Sequence, residues 1–152
     1  MEGTSFTTIY DLFLSKITDD MFLELTEEET QMILDQLIVS AIPHFEFPRV
    51  SLDYDIEDKV FNNSLTVEEQ NIIAVYMVCE WLGQQIASVE NTRMKYSGTD
   101  FKFTSQANHM KQLAALMEKY KTQGFHLQRL YKRRKPDADG VLRTTMSQIM
   151  EV

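Results

Sequence analysis

The segment that most constrains the fold of this chain runs from Thr66 to Met94, because it is apolar on almost every side. Among residues 72–82, only Ala74 and Glu80 interrupt the large apolar side chains. A helix on a protein surface normally keeps a polar face, so we expect a central helix with packing partners on every side. At 1.5 Å per residue this helix would be about 44 Å long. Its large apolar side chains are Ile72, Ile73, Val75, Tyr76, Met77, Val78, Cys79, Trp81, Leu82, Ile86 and Val89.

Two capping boxes predict where helices begin. Thr66 is followed by Glu69 at the third position, and Thr26 is followed by Glu29 in the same way. In a capping box the hydroxyl accepts a hydrogen bond from the first turn, and the glutamate accepts one from the cap residue. Together with the spacing of apolar residues elsewhere, these boxes predict helices near 7–16, 27–42, 67–93 and 105–134.

The segments between these helices are predicted from their polar and turn-forming residues. Residues 43–65 are expected to be irregular, with a short extended stretch at 50–54. A loop at 95–104 leads to Thr104 or Ser105, either of which would cap the last helix. Because this loop is short, we expect the two long helices to fold back on each other in antiparallel fashion.

The last helix and the residues after it suggest a division of the chain. Gly124 lies inside this helix and predicts a local bend, while Phe125 is counted among its core-facing apolar residues,. Pro136 disfavours further helix, so we predict a helical domain at 1–135 and a tail at 136–152. The expected fold class is all-α: a small helical bundle with two long antiparallel helices and an extended C-terminal tail.

The composition is ordinary for a globular protein, but charge is divided unevenly along the chain. Residues 1–70 carry 16 acidic and three basic side chains, whereas residues 71–152 carry seven acidic and 12 basic ones. Two solvated faces of opposite sign would account for this division, and so would head-to-tail association between copies. No apolar run approaches the roughly 20 residues that cross a bilayer, and the N-terminus lacks the pattern of a signal peptide.

The sequence shows no residue pattern typical of a catalytic, cofactor or metal site. The histidines His44, His109 and His126 fall on different predicted elements and lack the spacing of metal ligands. The acidic run at 53–58 lacks the glycine and the final glutamate of a calcium-binding EF-hand loop. Cys79 has no partner cysteine, and we expect it to be buried and unreactive. We therefore expect no enzymatic activity, no cofactor and no metal.

A basic cluster, residues 129–135, ends the last helix and has three interpretations. Its cations suit the negative end of the helix dipole, or they contact an acidic neighbour, or they contact a nucleic-acid backbone. A pI near 4.8 disfavours the last of these,. The tail beyond it has too few apolar residues to form a core. The candidate partner-binding residues are Arg129, Lys132, Arg133, Arg134, Val141, Leu142, Arg143, Met146, Ile149 and Met150.

Several motifs occur in a familiar order. These are Leu65-Thr66-Val67-Glu68-Glu69 before a helix with Met77 and Trp81-Leu82, the loop Tyr96-Ser97-Gly98-Thr99-Asp100-Phe101, Ser105-Gln106-Ala107 opening a second long helix, and Leu130-Tyr131-Lys132-Arg133-Arg134 before a detached tail. From about residue 20 onward, this arrangement resembles the head–tail adaptor proteins of tailed bacteriophages, which are also called neck or connector proteins. The irregular residues 43–65 have no counterpart in that resemblance.

The resemblance implies a structural virion protein that is made in the host cytoplasm and located in the head–tail neck. It implies a dodecameric ring of this chain beneath the portal protein, through which DNA passes without sequence-specific binding. It also implies that the C-terminal tail grips the portal, that further neck or tail proteins bind elsewhere, and that no membrane is involved. The alternative is a soluble helical regulatory or nucleic-acid-binding protein that uses the basic end of its last helix.

Overall fold

The computed structural model of the protein describes residues 3–17, 25–95, 100–136 and 142–144. Within these residues the chain is mostly helical, so the predicted all-α class is confirmed. The helices are α1 (Phe6–Lys16), α2 (Glu27–Ala41), α3 (Val67–Lys95) and α4 (Asp100–Arg133), and a 3₁₀ turn at Ile42–His44 follows α2. Two antiparallel hairpins pair β1 (Tyr54–Asp55) with β2 (Val60–Phe61) and β3 (Arg134–Pro136) with β4 (Leu142–Thr144).

Both predicted capping boxes are present. Thr26 Oγ1 accepts a hydrogen bond from the N–H of Glu29 at 3.2 Å, and the Glu29 carboxylate accepts one from the N–H of Thr26 at 2.9 Å. At the start of α3, Thr66 Oγ1 accepts from the N–H of Glu69 at 3.2 Å, while Glu69 Oε1 accepts from the N–H of Thr66 at 2.8 Å. Backbone donors that a helix start leaves unpaired are thus satisfied locally.

α3 is the central helix of the bundle. The helices α1, α2 and α4 all pack against it, which confirms the expected packing on every side over residues 72–82. Cys79 and Trp81 are each 5% exposed, so their predicted burial is also confirmed. The fully buried residues of this stretch are Ile72, Ile73, Ala74, Val75, Met77 and Leu82.

α3 also bears on the expectation that no apolar run is long enough to cross a bilayer. Among the described residues, Val67–Glu90 is long and apolar enough for a membrane span by length and composition alone. That expectation was therefore wrong on this test. The core helix of a globular protein passes the same test, and here the apolar side chains of residues 72–82 are covered by α1, α2 and α4.

Contacts between α3 and α4 recur along both helices. The contacting pairs are Glu69 with Tyr131, Tyr76 with Gly124, and Gly83 with Met117. Successive contacts are seven residues apart on each helix, which is about two helical turns. The two long helices therefore share a continuous interface.

The segment 43–65 has more structure than the sequence predicted. Tyr54 pairs with Phe61 in the β1–β2 hairpin, so the predicted extended stretch at 50–54 is right only at its last residue. Asp55 Oδ1 accepts hydrogen bonds from the N–H of Glu57 at 2.8 Å and from the N–H of Asp58 at 3.1 Å. Part of the acidic run therefore closes a hairpin turn, a common use of aspartate.

The start of α4 differs from the prediction. The helix begins at Asp100, whereas Thr104 or Ser105 was the predicted cap. α4 continues as one helix through Gly124, and the bend that the sequence predicted there stays a prediction.

The β3–β4 hairpin crosses the predicted boundary between domain and tail. Pro136 pairs with Leu142, Lys135 with Arg143, and Arg134 with Thr144. Residues 142–144 therefore pair with the residues that directly follow α4. Of the predicted tail anchors, Val141, Met146, Ile149 and Met150 lie outside the described residues.

Trp81→Ala should lower the free energy of unfolding by about 3–5 kcal/mol, because a buried tryptophan leaves a large cavity when it is truncated. Urea denaturation followed by circular dichroism measures this change. Val67→Ala is a matched control on the same helix, since Val67 is 73% exposed, and it should change stability by less than about 0.5 kcal/mol. Equal stability of the two variants would contradict the central position of Trp81.

Candidate partner-binding surface

One face of α4 forms a wall of a groove, here called the α4 groove. Its residues recur at three- and four-residue spacing and so share a helix face: Met117, Lys121, Phe125, Gln128 and Lys132. The opposite wall is formed by α3 and by residues 44–47. Two adjoining cavities of about 640 and 180 Å³ lie along the groove, and Phe125 lines both of them. A concave apolar site of this size is a common binding site.

Two phenylalanines project from this groove into solvent. Phe47 is 61% exposed and Phe125 is 63% exposed, so the prediction that Phe125 faces the core was wrong. Lys132 Nζ lies 4.4 Å from the centre of the Phe47 ring, which is a cation–π geometry,. Arg129 lines the same cavity. The structure thus places two predicted partner-binding residues, Arg129 and Lys132, beside two aromatic rings that sequence reasoning did not assign to the site.

The inner wall of the groove is held by a network of polar contacts. The His44 ring stacks on the Tyr76 ring at 5.1 Å, and His44 Nε2 lies 2.6 Å from Glu80 Oε1. Gln128 Nε2 donates to Tyr76 Oη at 2.7 Å and to the carbonyl oxygen of His44 at 2.9 Å. These contacts fix the 3₁₀ turn against both long helices, so this wall is pre-formed.

The Cys79 thiol lines the larger cavity. Burial raises its pKa to about 11, so the thiol stays protonated at neutral pH and is a poor nucleophile. Among the residues that the structure describes, no group of three or more histidine, cysteine, aspartate or glutamate side chains is placed to hold a metal ion.

Arg133 and Arg134 of the predicted cluster lie elsewhere. Arg134 Nη1 is 3.6 Å from Glu68 Oε1, at the start of α3, and Arg133 is exposed on the last turn of α4. The Arg49 guanidinium donates hydrogen bonds to the carbonyl oxygens of Tyr131 and Arg134. The cluster therefore divides, with Arg129 and Lys132 at the groove and Arg134 turned towards α3.

A buried hydrogen bond fixes the end of α4 on the start of α3. Tyr131 Oη donates to Glu69 Oε2 at 2.7 Å and accepts from the N–H of Arg49 at 2.9 Å. Glu69 is 2% exposed. Burial raises the pKa of Tyr131 to about 12, and the Glu69 carboxylate adds to this effect. The hydroxyl thereby positions the α4 turn that carries Arg129 and Lys132.

A second surface lies on α2 and is here called the α2 stripe. It consists of Glu28, Met32, Asp35 and Val39, whose spacing of four, three and four residues puts them on one helix face,. Met32 is 63% exposed and Val39 is 37% exposed. Asp35 Oδ2 lies 3.0 Å from Lys59 Nζ, whereas Glu28 is exposed in the first turn. The stripe begins at the N-terminal end of α2, about 20 Å from the end that leads into the groove wall.

Comparisons with known proteins identify no relative of this chain, so the functional proposals are based on these two surfaces. No protein-family model matches the chain, and searches of curated proteins and of solved structures find no match.

Gly124→Ala should destabilise the protein, although alanine is the better helix former by about 1 kcal/mol. A Cβ atom at this position would lie 2.8 Å from Tyr76 Cζ, so the tyrosine must leave its contacts with His44 and Gln128. We expect a loss of about 1–3 kcal/mol, as for other overpacked sites, measured by urea denaturation. In a Tyr76→Leu background the same change should be neutral or stabilising. A stabilised single variant would contradict this close packing.

Tyr131→Phe should lower the free energy of unfolding by about 1–3 kcal/mol, because the buried Glu69 loses a donor and the N–H of Arg49 loses an acceptor. Tyr120→Phe is the control, since Tyr120 Oη donates one bond of 3.2 Å to the Lys16 carbonyl, and it should cost less.

The effect of Tyr131 should also depend on pH. Its pKa in the folded protein is raised from 10.0 to about 12, so its stabilising contribution is complete below pH 10 and is lost as the pH rises towards 12. The stability difference between the wild type and Tyr131→Phe should therefore shrink over this window in urea titrations. A difference that stays constant across the window would contradict this assignment.

Proposed function

We propose that this protein is a structural subunit of the head–tail neck of a tailed bacteriophage. In this proposal it is a connector, or adaptor, that forms a dodecameric ring beneath the portal protein. The observation that carries the proposal is the pair of exposed surfaces described above. One is aromatic and basic, the other is acidic and apolar, and they differ in composition and position. A subunit of a closed ring needs two different surfaces, one for each neighbour.

The finer architecture of this proposal is a rod of two long antiparallel helices with a C-terminal tail. The order of contacts supports the antiparallel arrangement, because early residues of α3 contact late residues of α4 and the pairs advance in opposite directions. The lengths of α3 and α4 are 29 and 34 residues, or about 44 and 51 Å. Helices of this length provide a stiff wall for a ring.

The charge of the chain is compatible with DNA passing through such a ring. A net charge of −8 disfavours adhesion of DNA, whose binding to proteins depends largely on cations that contact phosphates. In the proposal the protein is assembled in the host cytoplasm, has neither enzymatic activity nor a cofactor, and contacts no membrane. Its partners are other copies of itself, the portal and further neck or tail proteins.

The proposed portal-binding segment is the C-terminal tail. Leu142 and Arg143 belong to β4, and Met146, Ile149 and Met150 follow it in the sequence. Three large apolar residues close to the C-terminus, too few for a core of their own, suit burial against another protein. The ordering cost of such a segment, about 2–5 kcal/mol, would keep single contacts weak until several copies bind together.

A truncation at residue 144 tests this function. The full-length protein should be captured by the portal protein encoded in the same genome, and electron microscopy of the complex should show a ring. Removing residues 145–152 keeps β4, so the melting temperature should stay nearly unchanged while capture is lost.

The control for the truncation is a full-length variant with Met146, Ile149 and Met150 all changed to serine. It should lose capture as the truncated protein does, because it lacks the apolar side chains. A full-length protein that is not captured, or a truncated one that is, would contradict the proposal.

A second candidate function, nucleic-acid binding, is favoured by Lys132 and Arg129 lying beside the exposed rings of Phe47 and Phe125. Such a combination can stack on bases and contact phosphates of single strands. Fluorescence anisotropy with a labelled single-stranded oligonucleotide separates the two functions. The adaptor should show no binding at physiological salt. Binding that weakens steeply with salt and is lost in Phe125→Ala would favour the nucleic-acid function.

A further inference from the structure

We propose that the α4 groove of one copy binds the α2 stripe of a second copy. This inference rests on the proposed function, because it names the contact through which neighbouring subunits of the ring would join. The contact is heterologous: each copy contributes its groove to one neighbour and its stripe to the other.

The shapes of the two surfaces suit binding of a helix in a groove. The groove face of α4 extends from Met117 to Lys132, which is about 22 Å of helix. The stripe extends from Glu28 to Val39, which is about 17 Å. Anchors at four-, three- and four-residue spacing are the pattern by which a helix binds a groove. The stripe is therefore short enough to lie within the groove along its whole length.

The charges of the two surfaces are opposite. Arg129 and Lys132 provide exposed cations along the groove, whereas Lys121 Nζ lies 4.0 Å from Glu118 Oε1 in an ion pair. Glu27 and Glu28 are exposed in the first turn of α2. The groove also contains Glu46, which is exposed, and Glu80, which contacts His44. Two unpaired cations against one unpaired carboxylate leave the groove positive, so it would attract the acidic start of α2 and repel another groove.

The apolar parts of the two surfaces are also complementary. Phe47 and Phe125 are among the most exposed apolar side chains of the described residues, and so is Met32. Large aromatic side chains are typical anchors of interfaces, and an unbranched methionine adapts its shape to an aromatic wall. The inferred contact removes all three from water at once.

The position of the stripe makes contact within one chain unfavourable. α2 packs on α3, and its C-terminal end leads directly into the groove wall at residues 44–47. Glu28, at the start of the stripe, lies about 20 Å away, at the other end of this helix, whereas Val39 ends the stripe near the wall. A straight helix cannot bring its two ends together, so the acidic start of the stripe does not reach the groove of its own chain.

Mixing two variants tests this contact. Phe125→Glu should disable the groove and Met32→Glu should disable the stripe, each weakening self-association about thirtyfold, as expected for the loss of an interface anchor. Both positions are more than 60% exposed, so the variants should fold, which circular dichroism checks. Sedimentation velocity should show each variant alone as a monomer. In a mixture, the intact stripe of Phe125→Glu should bind the intact groove of Met32→Glu. The resulting species of two chains should not grow, because its remaining groove and its remaining stripe each carry an added glutamate.

Leu116→Glu is the matched control on the same helix. Leu116 is 40% exposed and lies nine residues from Phe125, on the opposite side of α4. This variant should associate as the wild type does. Loss of association in Leu116→Glu, normal association of either test variant, or a mixture that stays monomeric would overturn the inferred contact.

The same samples separate this inference from the proposed function. A wild type that stays monomeric at every concentration, but is captured by the portal, would overturn the inferred contact and leave the proposed function standing. Phe125→Glu that loses portal capture while self-association is unchanged would show that the portal occupies the groove, which also overturns the inference. Self-association through groove and stripe without portal capture would uphold the inference and contradict the adaptor function.

Discussion

A buried carboxylate joins the beginning of one long helix to the end of the other. Glu69 accepts the N–H of Thr66 through one oxygen and the hydroxyl of Tyr131 through the other. A charge placed in the protein interior is unfavourable unless hydrogen bonds compensate it, so both donors are needed. The same tyrosine holds the backbone of Arg49. The register of the helix pair at this end and the position of the Arg49 backbone both depend on this arrangement.

The helices could be predicted because their signals are local. A capping box lies within four residues, and the nearly continuous apolar residues of α3 directly predict that this helix is buried. The β1–β2 hairpin could not be predicted in this way, because two-residue strands are too short for an alternating pattern. Their support comes from distant backbone groups: the N–H of Phe61 donates to the carbonyl of Thr4 at 2.8 Å, and the N–H of Asn62 donates to that of Asp53 at 2.9 Å.

The candidate site was predicted in part, and the errors have a common cause. Arg129 and Lys132 were identified from the charge cluster alone, since charge is visible in the sequence. Phe125 was assigned to the core because it is apolar, but it lies one residue beyond Gly124, where α4 meets Tyr76. The sequence offered no signal that Gly124 leaves room for the Tyr76 ring on another helix. Which side of a helix is covered depends on such contacts, and these join residues far apart in sequence.

The position of Arg49 has a consequence for how the molecule opens. Its guanidinium is supplied by the segment between α2 and β1, yet it binds the carbonyl of Tyr131 in the last turn of α4 and that of Arg134 at the start of β3. Carbonyl groups of a final helical turn otherwise have no partner within the helix, so this turn frays easily unless the distant segment is folded. The two regions therefore form one cooperative unit of local unfolding. Amide protons of the segment between α2 and β1 and of the last turn of α4 would therefore exchange with solvent at a shared rate, which is set by release of the Arg49 side chain.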